Sequence, residues 1–336
     1  PFEAAGDFFQ CLGEGLEKLR VRWFGRSAER IAGAFAGSPG GVSDVVGGDA
    51  HRFALGMVVR TKIRRVRVAR LNGVEHVKAG DAHLAVAVAG TGAMLLLVHG
   101  FPLDRTMWRH QMDEMPGWMR VAPDLRGAGE SQVPSSGYSM TRYADDLVAV
   151  LDAAGAPHAV CCGLSMGGYI LLELWRRHPG RVKALILCDT KSEADTPEGK
   201  RGRDALAAMA RDAGIGAVAE HMLPKLVGRT TRAENPVLVE SVRTMVQRSP
   251  VAGVEGALRA MRDRADSTPR LAEVAVPTLV VVGTEDELTP PAVARAMAER
   301  IAGARYAEIP GAGHLAPLEQ PGPFNSAVAE FLAKVG

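Results

Sequence analysis

The chain has 336 residues, 47% of them apolar, and a formal net charge of +2. Such a length admits one large α/β domain or two smaller ones, with ample apolar material for a buried core. The near-balanced charge points to neither nucleic acid nor a membrane surface as partner, and no apolar stretch approaches the ~20 residues that span a bilayer.

Residues 1–76 differ from the rest. They are rich in Gly, Ala and Arg and show little sustained periodicity. LGEGLEKLRVR (12–22) suits a short helix, while AGSPGGVS (36–43) and VGGD (46–49) are loop-like. RTKIRRVRVAR (60–70) carries six basic residues in eleven. That run has two readings: a patch for a nucleic acid or anionic surface, or an edge strand in which Val66 and Val68 alternate, with Ile63 nearby, behind a solvated basic face. Regular patterning starts near Val77, so residues 1–76 are expected to be an extension that is not native to the domain.

From residue 83 strand-like and helix-like segments alternate. Strands are predicted at 83–89, 94–99, 119–122, 158–162, 183–188, 277–282 and 304–309. Helices are predicted near 139–154, 165–178, 291–302 and 323–334. This alternation implies a mainly parallel, doubly wound sheet. LLLV (95–98) and LVVV (279–282) are apolar on both faces, as strands covered by helices on each side must be. The long segment between 188 and 277 reads as helical, with candidates at 203–211, 216–226, 236–247 and 253–263.

The chain has four cysteines. Cys161 and Cys162 are adjacent on one predicted strand and should point to opposite faces; Cys188 lies near the end of another. No metal-ligand spacing is present, and buried, reduced thiols fit a cytoplasmic protein.

GLSMGG (163–168) follows the apolar run HAVCC (158–162) and precedes the helix-like YILLELWRR (169–177). A strand, a tight turn carrying Ser165, then a helix is the arrangement that exposes a nucleophilic serine. Its strained backbone needs small neighbours, here Gly163, Gly167 and Gly168. Ser131 and Ser139 also have a glycine two residues before them, but neither has the second glycine nor follows a strand.

Five segments, in order, carry a wider resemblance: HGFP (99–102), DLRGAGES (124–131), GLSMGG (163–168), GTEDELTP (283–290) and GAGHLAPLEQP (311–321). With them the chain, over residues 83–336, resembles the α/β-hydrolase superfamily. Within it the likeness is to small bacterial carboxylesterases and 3-oxoadipate enol-lactonase-like enzymes. The resemblance implies an α/β-hydrolase fold, with a core at 77–190 and 270–336. A helical cap at 191–269 is inserted before the last two strands.

The chemistry then assigns roles. Ser165 needs a base beside it, which His314 supplies. Asp286 is the expected third member, fixing the tautomer of His314 and stabilising its imidazolium. Asp189, at the end of another strand, is the rival acid, and Glu285 and Glu287 should be solvated. The oxyanion needs preset donors, expected from the backbone N–H groups of Phe101 and Met166. His99, Asp124 and Arg126 are expected to hold loops. Trp108 either lines the acyl pocket or packs beneath the oxyanion loop. Met222, Leu223 and Leu226 either pack the cap or touch substrate. Lys225 and Arg229 are the cap cations available to a substrate carboxylate.

The implied activity is hydrolysis of a small-molecule carboxylic ester or lactone through a Ser165 acyl-enzyme, with no cofactor and no metal. A monomer or small homo-oligomer is expected. Two alternatives share the fold: a cofactor-free perhydrolase or haloperoxidase using the same triad, and a slow-turnover ligand-binding receptor. Serine at the elbow argues against haloalkane dehalogenases and epoxide hydrolases, which use aspartate there.

Overall fold

The computed structural model describes residues 73–335. The basic run 60–70, and the rest of 1–72, lie outside the described residues.

Eight strands form one sheet: β1 (Gly73–Ala79), β2 (Ala82–Ala89), β3 (Ala93–Val98), β4 (Trp118–Pro123), β5 (Ala159–Leu164), β6 (Val182–Cys188), β7 (Thr278–Gly283) and β8 (Arg305–Ile309). Their spatial order is β1-β2-β4-β3-β5-β6-β7-β8. The β1/β2 and β2/β4 pairs are antiparallel and the others parallel. β1 begins before the expected boundary at Val77: Gly73 to His76 pair with Val88 to Ala85. The strand escaped detection because it is an edge, with Val74, Glu75, His76 and Lys78 all exposed and no apolar stripe.

The helices between and around these strands are α1 (Arg109–Glu114), α2 (Met140–Ala153), α3 (Met166–Arg177), α9 (Pro291–Glu299), α10 (Ala316–Glu319) and α11 (Pro321–Val335). Between β6 and β7 lie α4 (Pro197–Asp212), α5 (Gly214–Leu226), α6 (Arg229–Glu234), α7 (Pro236–Gln247) and α8 (Val251–Arg262), forming the cap. Local chemistry sets several starts. Ser139 accepts from Arg142 N at 3.0 Å to cap α2, and Thr196 caps α4 with Pro197 in its first turn.

The central strands are buried on both faces, and their side chains alternate between two apolar clusters. Leu96, Val98, Cys161, Leu185, Val280 and Val282 join α2, α3 and α9 on one side. Leu95, Leu97, Cys162, Ile186, Leu279 and Val281 join α11 on the other. Each fully buried leucine or valine of this kind contributes roughly 1.5–3 kcal/mol. Cys161 and Cys162 thus face opposite ways, and Cys162 Sγ lies 3.7 Å from Cys188 Sγ. Burial pushes the Cys161 thiol up to about 12, so it stays protonated and inert. Among the described residues no helix is long and apolar enough to cross a membrane.

Candidate active site

After β3 the chain crosses to β4 on one side of it, then returns to β5 on the other. The switch point therefore lies between β3 and β5, and open α/β sheets bind ligands there, beyond the strands' carboxyl ends. The loop after β3 carries Phe101, and β5 runs directly into Ser165. The loops after β6, β7 and β8 carry Asp189, Asp286 and His314.

Ser165 has φ 53° and ψ −112°, a backbone conformation that costs a side-chain-bearing residue about 1–3 kcal/mol. Its surroundings hold it there. Ser165 N–H donates to Cys188 O at 2.9 Å, and Thr190 Oγ1 donates to Ser165 O at 2.7 Å. The neighbouring glycines are required by close approach. A Cβ at Gly167 would lie 2.3 Å from Val98 O, and one at Gly163 would lie 2.7 Å from the Gly167 carbonyl.

His314 Nδ1 lies 2.9 Å from Asp286 Oδ2, and both side chains are almost wholly buried. Asp286 also accepts from Leu288 N at 2.8 Å, from Thr289 N at 3.0 Å and from Thr289 Oγ1 at 2.5 Å. Burial pushes its carboxyl up, but the charge and hydrogen bond of His314 and the two bonds from Thr289 outweigh that. The result lies below the ordinary carboxylate value. Thr289, which received no role from sequence, is therefore part of the carboxylate's support.

Asp189 is placed differently. It has φ 45°, is fully buried, and its Oδ1 accepts from Gly283 N at 2.8 Å. Burial and the nearby Asp286 carboxylate push its own carboxyl well above the usual range, so it holds its proton more tightly than an ordinary carboxyl. It braces the end of β7, and the imidazole faces the other acid.

His99 holds the loop after β3. Its Nδ1–H donates to Gly100 O at 2.8 Å and its Nε2 accepts from Leu125 N at 2.9 Å, which defines a neutral tautomer. Asp124 accepts from Arg105 N and Glu130 N, and Arg126 makes a forked pair with Asp146 at 2.6 and 2.8 Å. All three are structural. Gly100 lets the loop reach the elbow: its Cβ would lie 3.4 Å from Ser165 Cβ. Met166 opens α3, so its N–H has no acceptor within the helix.

Phe101 and Met166 line one small cavity together with Ser249, Gly253, Val254 and Ala257 of the cap, and neither Ser165 nor His314 is among its lining residues. Trp108, Met222 and Leu226 do not line it. Trp108 is fully buried, with its ring 6.4 Å from that of Phe324 in α11. Leu226 is fully buried, and Met222 is half-buried between the two clusters. The α8 residues were missed because GVEGALRAM reads only as a helix. Its small residues mark a close contact: a Cβ at Gly253 would collide with Gly127 O.

Glu285 corrects a second expectation. Its side chain is not solvated but accepts from Thr230 N at 2.8 Å and Thr230 Oγ1 at 2.6 Å, and pairs with Arg229 at 3.2 Å. Glu287 is exposed. Glu319 is buried and accepts three backbone N–H groups: Gly313 and Leu315 at 3.0 Å, and Gly228 at 2.8 Å. It lies within a motif already singled out by resemblance, yet sequence reading left it without a role.

Comparison with known proteins agrees with this architecture. The chain is 40% identical to a thermophilic esterase from Thermogutta terrifontis solved with malate bound, covering 79% of this chain and 99% of that one at a TM-score of 0.76. It is 28% identical to the enol-lactonase of Burkholderia xenovorans LB400, covering 77% and 100% at a TM-score of 0.72. The AB hydrolase superfamily protein YisY of Bacillus subtilis is 30% identical over 261 residues, 74% of this chain and 94% of that protein. The profile of the alpha/beta hydrolase fold matches residues 93–321, and with the relatives above it makes this chain a member of that family.

Proposed function

We propose that the protein hydrolyses small carboxylic esters or lactones through an acyl-enzyme on Ser165. The observation that carries this reading is the buried His314–Asp286 pair at 2.9 Å, presented beyond the same sheet edge as a serine in the strained elbow conformation. Esterase and enol-lactonase relatives support it.

In this mechanism Ser165 Oγ attacks the acyl carbon while its proton passes to Nε2 of His314. Asp286 holds Nδ1–H and stabilises the imidazolium that forms. The carbonyl π electrons move onto oxygen, where the N–H groups of Phe101 and Met166 meet the developing charge. One such donor is typically worth about 3–4 kcal/mol in the transition state. Collapse breaks the bond to the alkoxy oxygen, which takes the proton from His314 and leaves as alcohol. In a lactone that alcohol stays tethered to the acyl chain. Water then attacks the acyl-enzyme by the same route and frees the carboxylic acid.

Lys225 is exposed and Arg229 is engaged by Glu285, so neither serves as counter-ion to a substrate carboxylate. The test is turnover of p-nitrophenyl butyrate by wild type and Ser165→Ala. Turnover that is lost with the hydroxyl supports the serine mechanism; activity that survives in the variant refutes it.

A further inference from the structure

A second cleft, of about 260 Å³, is lined by Tyr169, Leu172, Glu173 and Arg176 of α3 and shares no lining residue with the cavity beside Phe101 and Met166. It lies where the cap joins the core. The outgoing strand of chain after β6 and the returning strand after α8 run side by side there. Ser267 N donates to Ser192 O at 2.9 Å, and Ser192 Oγ lies 2.9 Å from Thr268 Oγ1. Arg264 stitches the two together by pairing with Asp195 at 2.8 Å and donating to Glu193 O at 2.7 Å.

The lining has two characters. Met140, Leu172 and the ring of Tyr169 give an apolar part, with the Arg264 guanidinium 4.2 Å from the Tyr169 centroid. The remainder carries Lys191, Arg264, Arg176 and Arg270 with the carboxylates of Glu173 and Asp266, and Arg270 is itself paired with Glu273 at 3.0 Å. Those two carboxylates are already engaged. Glu173 is bonded by Arg176 and by Thr141, each at 2.7 Å, and Asp266 accepts from Thr268 N at 2.9 Å. Asp195 is shared between Arg264 and Arg203, so one carboxylate serves two guanidinium groups.

Lys191 is the group left over. It is half-buried, and among the described residues its ammonium has no carboxylate partner and no hydrogen bond. Burial, then the neighbouring Arg264, hold its affinity for a proton below the ordinary lysine value, although the charges of Asp195 and Glu193 act the other way without reaching ion-pair distance. A half-desolvated cation beside an apolar floor is a poor arrangement for an empty surface and a good one for an organic anion.

We infer that this hinge cleft binds a small organic monocarboxylate, its charge on Lys191 and its short apolar chain on Met140 and Leu172. The site stands on its own lining and does not depend on the proposed reaction, although that reaction releases molecules of this class. A ligand there would bridge the two chain segments on which the cap hangs.

Two methionines separate this site from the catalytic one: Met140 lines the cleft, and Met166 lines the cavity beside Phe101. Protein with methyl-labelled methionine is titrated with butanoate and the two methyl resonances followed by NMR. The expected result is a saturable shift of the Met140 methyl below about 50 mM butanoate, unchanged in Ser165→Ala. Lys191→Gln should weaken it about tenfold or more and Lys191→Arg should restore it. A still Met140 methyl, a shift confined to Met166, or equal affinity in Lys191→Gln overturns the inference. So does an inorganic phosphate titration that matches butanoate, because the cleft would then read charge alone.

Discussion

Glu319 Oε2 accepts the backbone N–H of Gly228 at 2.8 Å, while its Oε1 accepts those of Gly313 and Leu315 on either side of His314. One buried carboxylate thus fastens the cap segment between α5 and α6 to the loop that carries the imidazole. Glu285, next to Asp286, grips the first turn of α6 through Thr230. The cap is tied on the opposite side too, where Ser249 Oγ donates to Pro102 O at 2.9 Å and Arg248 pairs with Asp104 at 2.8 Å.

Removing that carboxylate should therefore damage both stability and turnover. Glu319→Ala leaves three buried N–H groups without an acceptor, at a cost of about 3 kcal/mol. Gly313→Ala should act on the same junction by steric means, because its Cβ would lie 2.3 Å from Gly228 N. Thermal unfolding and steady-state kinetics check both. A Glu319→Ala enzyme with wild-type stability and kcat would show that the junction does not position His314.

The elbow serine should be catalytically indispensable and conformationally costly. Ser165→Ala and Ser165→Gly should each lose about 10⁴-fold or more in kcat/KM. They should differ in stability, since only glycine adopts φ 53° without strain. The glycine variant is expected to be about 1 kcal/mol more stable than the alanine variant, measured by denaturant unfolding.

The two buried aspartates should respond oppositely to pH and to amidation. The Asp286 carboxyl is held below its usual value, so its contribution to stability is present above pH 3.8 and is lost as pH falls through the folded value. The Asp189 carboxyl is pushed well above 3.8, so folding holds its proton. Its contribution is present at low pH and declines as pH rises from 3.8 toward the folded value. Asp286→Asn should abolish most turnover. Asp189→Asn keeps an acceptor for Gly283 N–H and should leave turnover largely intact while flattening the decline in Tm as pH rises above 3.8. Melting curves across pH, paired with ester turnover, distinguish them; equal loss of activity in both variants contradicts the pairing of His314 with Asp286.

The site is assembled from residues beyond position 98, so residues 1–72 should be dispensable for catalysis. Mild proteolysis that removes them is expected to leave ester turnover unchanged, as followed by mass and activity on the same sample. A parallel fall of activity with loss of the segment would overturn that expectation.

What was readable without coordinates was local along the chain. Runs such as LLLV (95–98) announce strands covered on both faces, because a strand's period of two leaves no polar side. The glycines around Ser165 announce the elbow, because only small residues tolerate the close approach its geometry demands. β1 and the six-residue α1 left no such trace: one is an exposed edge and the other too short to show a period. Sequence favoured Asp286 over Asp189, but both follow strands, and only packing shows which carboxylate the imidazole of His314 meets. Tertiary structure alone turned Glu285 and Glu319 from expected surface or motif residues into ties between cap and core. It also put α8, rather than Trp108, Met222 or Leu226, over Phe101 and Met166. Periodicity and turn chemistry are written among neighbours in sequence, whereas the partner of a buried charge is chosen by segments that meet only when the sheet and cap have closed around it.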